Sequence, residues 1–184
     1  MKQLDLFYNK EDNPLLKEDH VDLSKIAIFF GESGQRQKDL NRTSEKIQKM
    51  GENEFIIYKT GSEHPLKERY EGRNDFPFIY SNKTGNIIQP QFSRTVYPSY
   101  ALRSTNGVEI HILAHRVYAM AFIKNHLPCD TIYVDHINED KLDFSISNLR
   151  WVTAKYNSTR AHSSNNSAKN IGRGRKILGA STEF

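Results

Sequence analysis

Apolar residues fall in short runs separated by polar turns along most of this 184-residue chain. "KIAIFF" (25–30) reads as a buried strand, being short, apolar and followed by Gly31 and Gly34. In "RQKDLNRTSEKIQKM" (36–50) Leu40, Ile47 and Met50 recur on one helical face, and Gly51 suits a C-terminal stop. "EFIIY" (54–58) predicts a further strand, closed by Gly61. Residues 60–75 are polar, with one proline and two glycines, and suggest a boundary. Strand-like segments follow: "FPFIYS", "NIIQPQF" and "YALRS", with turn signals at Lys83-Thr84-Gly85-Asn86 and Thr105-Asn106-Gly107. Asn106-Gly107 between "YALRS" and "VEIHIL" predicts a hairpin. "HRVYAMAFIKNHL" (115–127) predicts a helix with Val117, Met120, Ala121 and Lys124 on one face, stopped by Pro128. "TIYVDH" then predicts a strand, "INEDKLDFSIS" a loop, "NLRWVT" a strand and "AKYNSTRA" the start of a helix.

This order predicts an α+β chain in three parts. Residues 1–70 form an N-terminal α/β region of unassigned role. Residues 76–161 hold a small β-rich module, a helix and a strand–loop–strand–helix unit. Residues 162–184, "HSSNNSAKNIGRGRKILGASTEF", are rich in Ser, Asn, Gly and base, and predict a flexible basic arm with no core of its own. The glycines at 31 and 34 read as a turn, since the Gly-Lys-Ser/Thr of a phosphate loop does not follow.

Charge adds a partner to this picture. The net charge is +4, yet residues 1–75 carry −2 and residues 76–149 are neutral. The excess lies on residues 150–184, at +6, which points to nucleic acid, because neutralised phosphates release condensed counterions. A single cysteine, Cys129, excludes an intramolecular disulfide and a multi-cysteine zinc site. No apolar run is long enough to span a membrane and the N-terminus is charged, so no membrane partner is expected and the expected compartment is cytoplasmic.

The strand–loop–strand–helix unit concentrates the chemistry. Asp135-His136 end one strand, Asn148 precedes the returning strand, and Asn157 lies one turn into the helix, with Thr153 as the expected N-cap. If that helix crosses the two strands, the Asp135 carboxylate and the Asn157 amide oxygen can hold a hard divalent cation. His136 is then left as an imidazole able to take a proton from water. That is a plan for phosphodiester hydrolysis.

The residues "VDHIN", "SNLRWVT" and "YN", with "HRVYAMAFIKN" before them, resemble the HNH nuclease motif, also called the ββα-metal motif, in its His-Asn-Asn form. That form occurs in phage and intron-encoded homing endonucleases. "FPFIYSNKTGNIIQ" resembles the β module often placed before the motif. The resemblance covers about residues 76–160. It implies a metal-dependent DNA endonuclease, encoded by a phage or mobile element and acting in a bacterial or phage-infected host cell. The alternative is a non-cleaving DNA-binding protein on the same scaffold. By resemblance His136 is the general base, Asn148 the central Asn that braces the loop, and Asp135 and Asn157 the metal ligands. Asn157 stands where many family members have a second His, which favours Mg²⁺, or Mn²⁺, over Zn²⁺. Double-stranded DNA is the implied partner, with one nuclease motif per chain.

Arg150, Lys155, Arg160, Arg173, Arg175 and Lys176 are the candidate DNA contacts. His115 is expected to cap its helix or bond backbone, and His20, His64, His111 and His126 to be structural. Trp151, Leu149, Leu142, Ile137 and Phe122 are the expected packing residues of the motif.

Overall fold

The computed structural model describes residues 19–26, 30–31, 34–61, 76–92, 97–127 and 129–160. The fold is α+β, with every strand among the described residues pairing antiparallel. Strand β1 (His20–Asp22) precedes helix α1 (Gln35–Gln48) and strand β2 (Phe55–Tyr58). Strands β3 (Phe78–Ser81) and β4 (Asn86–Ile88) complete a four-stranded sheet in the order β1-β2-β3-β4. The register stacks Val21, Ile57 and Ile79 side by side, all buried. The polar stretch between residues 61 and 76 therefore links two strands that pair directly.

Two sequence expectations in this half are corrected. The first strand among the described residues is "HVD" at 20–22, upstream of the expected "KIAIFF", whose residues 27–29 lie outside the described residues. Lys25 instead closes a 3₁₀ turn (Leu23–Lys25) whose N-cap is Asp22. Asp22 binds the backbone N–H of Ser24 at 3.0 Å and of Asn53 at 2.8 Å, so the carboxylate stops the strand and anchors the next loop. Helix α1 also stops at Gln48, leaving Met50 buried just past the cap at Lys49.

Strands β5 (Ser99–Arg103) and β6 (Glu109–Leu113) form the expected hairpin, and Gly107 supplies its positive φ of 86°. Its turn docks on the end of α1. Thr105 N–H donates to Glu54 Oε1 at 2.8 Å, Gly51 N–H to Ser104 Oγ at 3.1 Å, and Asn106 Nδ2 to Lys49 O at 2.6 Å.

Helix α2 (Ala114–Phe122) follows without a break. It is shorter than the expected 115–127, because Ile123 is already extended. Asn125, nearly buried, explains the early stop: its amide donates to Thr131 O at 2.8 Å and accepts from Leu127 N–H at 3.2 Å. A side chain that bonds nearby backbone in this way competes with the helix.

Strands β7 (Tyr133–His136) and β8 (Leu149–Val152) pair with Asp135 opposite Arg150, and residues 154–160 form helix α3. Trp151 Nε1 donates to Ile123 O at 3.0 Å, and its ring packs on Phe30. Leu149 is buried and Phe122 packs at the edge of the core, whereas Ile137 and Leu142 are about half exposed, contrary to expectation. Both lie on the loop, where backbone direction is set by polar side chains rather than by apolar burial. One core cluster runs from Val21 to Leu149 and seats the motif on the N-terminal half. Among the described residues, no helix is long and apolar enough to cross a membrane. The expected basic arm lies outside the described residues.

Candidate active site

The loop between β7 and β8 is built by side-chain bonds to backbone. Asn148 is buried at its C-terminal end, in a 3₁₀ turn (Ile146–Asn148). Its Nδ2 donates to Asn138 Oδ1 at 2.9 Å and Asp143 O at 2.7 Å, while its Oδ1 accepts from Asn138 N–H at 2.9 Å. Its own carbonyl accepts from Ile137 N–H at 2.8 Å. Asn148 thus ties both ends of the loop together immediately after His136. Within the loop, Asp140 Oδ1 accepts from Leu142 N–H at 2.9 Å, and Asp143 Oδ1 from Ser145 Oγ at 2.6 Å. The acidic side chains of this loop cap its own turns.

His136, last in β7, is buried, and its Nε2 has no hydrogen-bond partner. The ring lies edge-on to His115 with centroids 5.0 Å apart, and 5.9 Å from the ring of Tyr97. Burial lowers the His136 pKa against the opposing pull of Asp135, Asp143 and Asp140. At neutral pH the ring is a neutral imidazole, the form that can accept a proton.

His115 does not cap α2 as expected. It is buried with Nδ1 unbonded, and its ring also packs 5.0 Å from Tyr97. Burial, helped by His136 and Arg36, pushes its pKa down to about 3. Tyr97 and His115 are thus neighbours of the site that sequence reasoning missed or misassigned. Nothing in the spacing places Tyr97 there, since it reaches His136 across 39 residues and three intervening elements, β5, β6 and α2.

Asp135 is the cross-strand partner of Arg150, and its Oδ2 receives three N–H donors. Arg150 supplies Nε at 3.0 Å and Nη2 at 2.9 Å, and Arg160 supplies Nη1 at 2.6 Å. Oδ1 accepts no hydrogen bond from a described residue. Thr153 caps α3, its Oγ1 accepting from Tyr156 N–H at 3.2 Å. Asn157 is half-buried on α3, and its side chain bonds to no described residue. It shares a helix face with Arg160, three residues on. Lys155 is exposed on the same helix, and Arg173, Arg175 and Lys176 lie outside the described residues. His111 and His126 are exposed. Among the described residues no three His, Cys, Asp or Glu side chains form a metal-holding cluster.

Comparison with known proteins falls on the same segment. Residues 113–159, from the end of β6 to α3, match the model of a family described as HNH endonuclease. Two uncharacterized HNH endonucleases of Acanthamoeba polyphaga mimivirus are similar in sequence. One is 34% identical over 79 residues, which is 43% of this chain and 23% of the relative. The other is 47% identical over 51 residues, 28% of this chain and 13% of the relative. The chain therefore spans less than a quarter of the length of these relatives. A solved structure described as DNA binding and cleavage by the HNH homing endonuclease I-HmuI aligns with a TM-score of 0.47 at 23% identity, over 66% of this chain and 62% of that one. The chain resembles the HNH endonucleases, and the strand–loop–strand–helix unit is where the resemblance lies.

Proposed function

We propose that the chain is a metal-dependent DNA endonuclease that hydrolyses phosphodiester bonds by way of His136. The observation that carries this reading is a buried, neutral imidazole beside a carboxylate that keeps one oxygen unbonded. The donor set suits a small hard cation, since Asp135 Oδ1 and the Asn157 amide each offer an oxygen and Mg²⁺ commonly takes only one or two protein ligands. A bound Mg²⁺ or Mn²⁺ would stabilise charge on the phosphate and the leaving oxygen.

The chain's own residues do the rest. His136 accepts a proton from the attacking water. Nε2 is the sealed nitrogen of its ring, so Nδ1 is the one left for water. Asn148 fixes the loop and with it the end of β7. Tyr97 and His115 wall the imidazole from solvent and keep it neutral. Lys155 and the bases at 173, 175 and 176 supply phosphate contacts. Cleavage leaves 5′-phosphate and 3′-hydroxyl ends. One motif per chain means that a double-strand break requires two copies or two successive nicks. A viral or mobile-element origin agrees with the source of the mimivirus relatives.

The test is incubation of supercoiled plasmid with the chain and Mg²⁺, with and without EDTA. Conversion to open-circle or linear DNA, blocked by EDTA, is the expected result. Retarded but uncut plasmid across Mg²⁺ and Mn²⁺ would replace this reading with that of a non-cleaving DNA-binding protein.

A further inference from the structure

Arg160 ends the described part of α3, where a basic side chain beside a nuclease motif reads as a phosphate contact. The structure engages it elsewhere. Nη1 donates to Asp135 Oδ2 at 2.6 Å, Nη2 to Ile137 O at 2.8 Å and Glu139 Oε1 at 3.2 Å, and Nε to Glu139 Oε1 at 3.3 Å. The three acceptors are alternate positions of one stretch, the end of β7 and the first turn of the loop. The side chain is only 22% exposed, against 40% for Arg150. Glu139, one of its acceptors, adopts a positive φ of 67°, so the backbone leaves the strand direction where the guanidinium meets it.

We propose that Arg160 is a positioning residue of the site rather than a DNA contact. It clamps α3 onto the corner that carries Asp135 and His136. Asn157, on the same helix face, is thereby held towards Asp135. The carboxylate is fixed with Oδ2 bound and Oδ1 presented. A ligating carboxylate needs such an outer partner, and loss of one typically weakens metal binding by about 10–100-fold. Only arginine suits the position. Its planar fork reaches carboxylate, carbonyl and carboxylate together, whereas lysine offers three donors from one point. Arg150 holds the same oxygen from β8 and also meets Tyr156 of α3, by a hydrogen bond to its hydroxyl and by stacking on its ring, but Arg160 alone of the two bonds Ile137 and Glu139 and so ties α3 to the start of the loop.

This inference rests on the metal-dependent reading above, and one variant separates the two. Arg160→Lys keeps the charge, and any phosphate contact, but loses the fork. Three measurements on the full chain decide. The first is Mn²⁺ binding to the DNA-free chain, followed by the electron paramagnetic resonance signal of free Mn²⁺. The second is the split between kcat and KM on plasmid. The third is the slope of log K against log salt for DNA binding, measured also for Arg160→Gln, with circular dichroism as the folding control. Arg160→Lys is expected to weaken Mn²⁺ binding by about 10–100-fold. It should lower kcat with KM little changed, and the salt slope should stay the same in both variants. Wild-type Mn²⁺ affinity and kcat in Arg160→Lys would overturn the proposal. So would a salt slope lower by about 0.9 in Arg160→Gln, the mark of a lost phosphate contact. A wild-type chain that neither binds Mn²⁺ nor cleaves would bring down the metal-dependent reading and this one with it. A cleaving wild type with an unaffected Arg160→Lys would bring down this one alone.

Discussion

The β1–β4 sheet and the β7–loop–β8 corner are both antiparallel pairings, yet different forces hold them. In the sheet, every residue of β2 is buried, and Val21, Ile57 and Ile79 meet in register. Apolar burial is non-directional and scales with area, so it fixes where the sheet sits but not the angle of any one group. At the corner, β7 is mostly half-buried, and the loop is shaped by Asn138, Asp140, Asp143 and Asn148 through bonds of 2.7–2.9 Å. Directional bonds fix orientation. They also spend nearly every local donor and acceptor, so the few left over among the described residues stand out: the buried His136 Nε2 and His115 Nδ1, and with them Asp135 Oδ1 and the Asn157 amide. The sheet gives the site a place, and the corner gives it aim.

The largest expected effect separates the two regions cleanly. His136→Ala should reduce single-turnover plasmid cleavage by about 10²–10⁴, the usual contribution of a general base, while DNA affinity holds. Its unfolding midpoint in urea should change little, because the removed ring had an unbonded buried nitrogen. Undiminished cleavage would remove His136 from the chemistry. Ile57→Ala is the converse experiment in the sheet. A fully buried Ile cut to Ala costs about 2–5 kcal/mol, read as a lower urea midpoint, with the rate per folded molecule unchanged at low temperature. A rate that fell with the midpoint would mean that the sheet does more than support.

Asn148→Ala falls between, because the residue belongs to the corner yet acts through structure. Three side-chain bonds disappear and Asn138 N–H loses its acceptor. At about 1 kcal/mol for each bond, the loss is about 3 kcal/mol. Cleavage should fall as well, since the loop no longer fixes the end of β7. Urea unfolding and single-turnover cleavage on one preparation test both. Full activity in a destabilised protein would make Asn148 a loop brace with no bearing on His136.

The two regions also differed in how much the sequence revealed. Short apolar runs between turn residues were enough for β2, β3, the β5–β6 hairpin and β7–β8, because each buries a face. The residues of the ββα unit were legible from spacing, and the structure gathers Asp135, His136 and Asn148 at one corner. Strand β1 was hidden because "HVD" is three residues long in an acidic stretch, and register with β2 rather than composition makes it a strand. The end of α2 was hidden because Asn125 acts through bonds to Thr131 and Leu127 that periodicity does not register. The ion pairs of Arg150 and Arg160 with Asp135 were hidden, since nothing in sequence says that a base 15 or 25 residues away will find Asp135. Cross-strand register supplies the first partner and the α3 crossing the second. His115 looked like a cap because a helix start is where histidines bond backbone. Only the packed fold shows it facing His136.

The smallest effect concerns that second imidazole, and pH reads it. An unperturbed histidine titrates near about 6.5. His115 in the folded chain is held down to about 3, first by burial and then by the charges of His136 and Arg36. The unfolded chain therefore binds a proton at a pH where the folded chain refuses it. Stability from this source is complete above about pH 6.5 and is lost progressively as pH falls towards 3. Between pH 7 and pH 5 the loss is about 2 kcal/mol, from the same linkage. His136, whose pKa is also lowered, adds a loss of the same sign, so the wild type alone does not isolate His115. His115→Phe does: it keeps an aromatic ring against Tyr97 and His136 and removes the titrating nitrogen. Urea unfolding at pH 7 and pH 5 should show the wild type losing about 2 kcal/mol more than His115→Phe between the two conditions. Parallel losses would mean that His115 is protonated in the folded chain at pH 5. The ring wall around His136 would then be wetter than its packing implies, and the corner would owe its neutral imidazole to something other than burial.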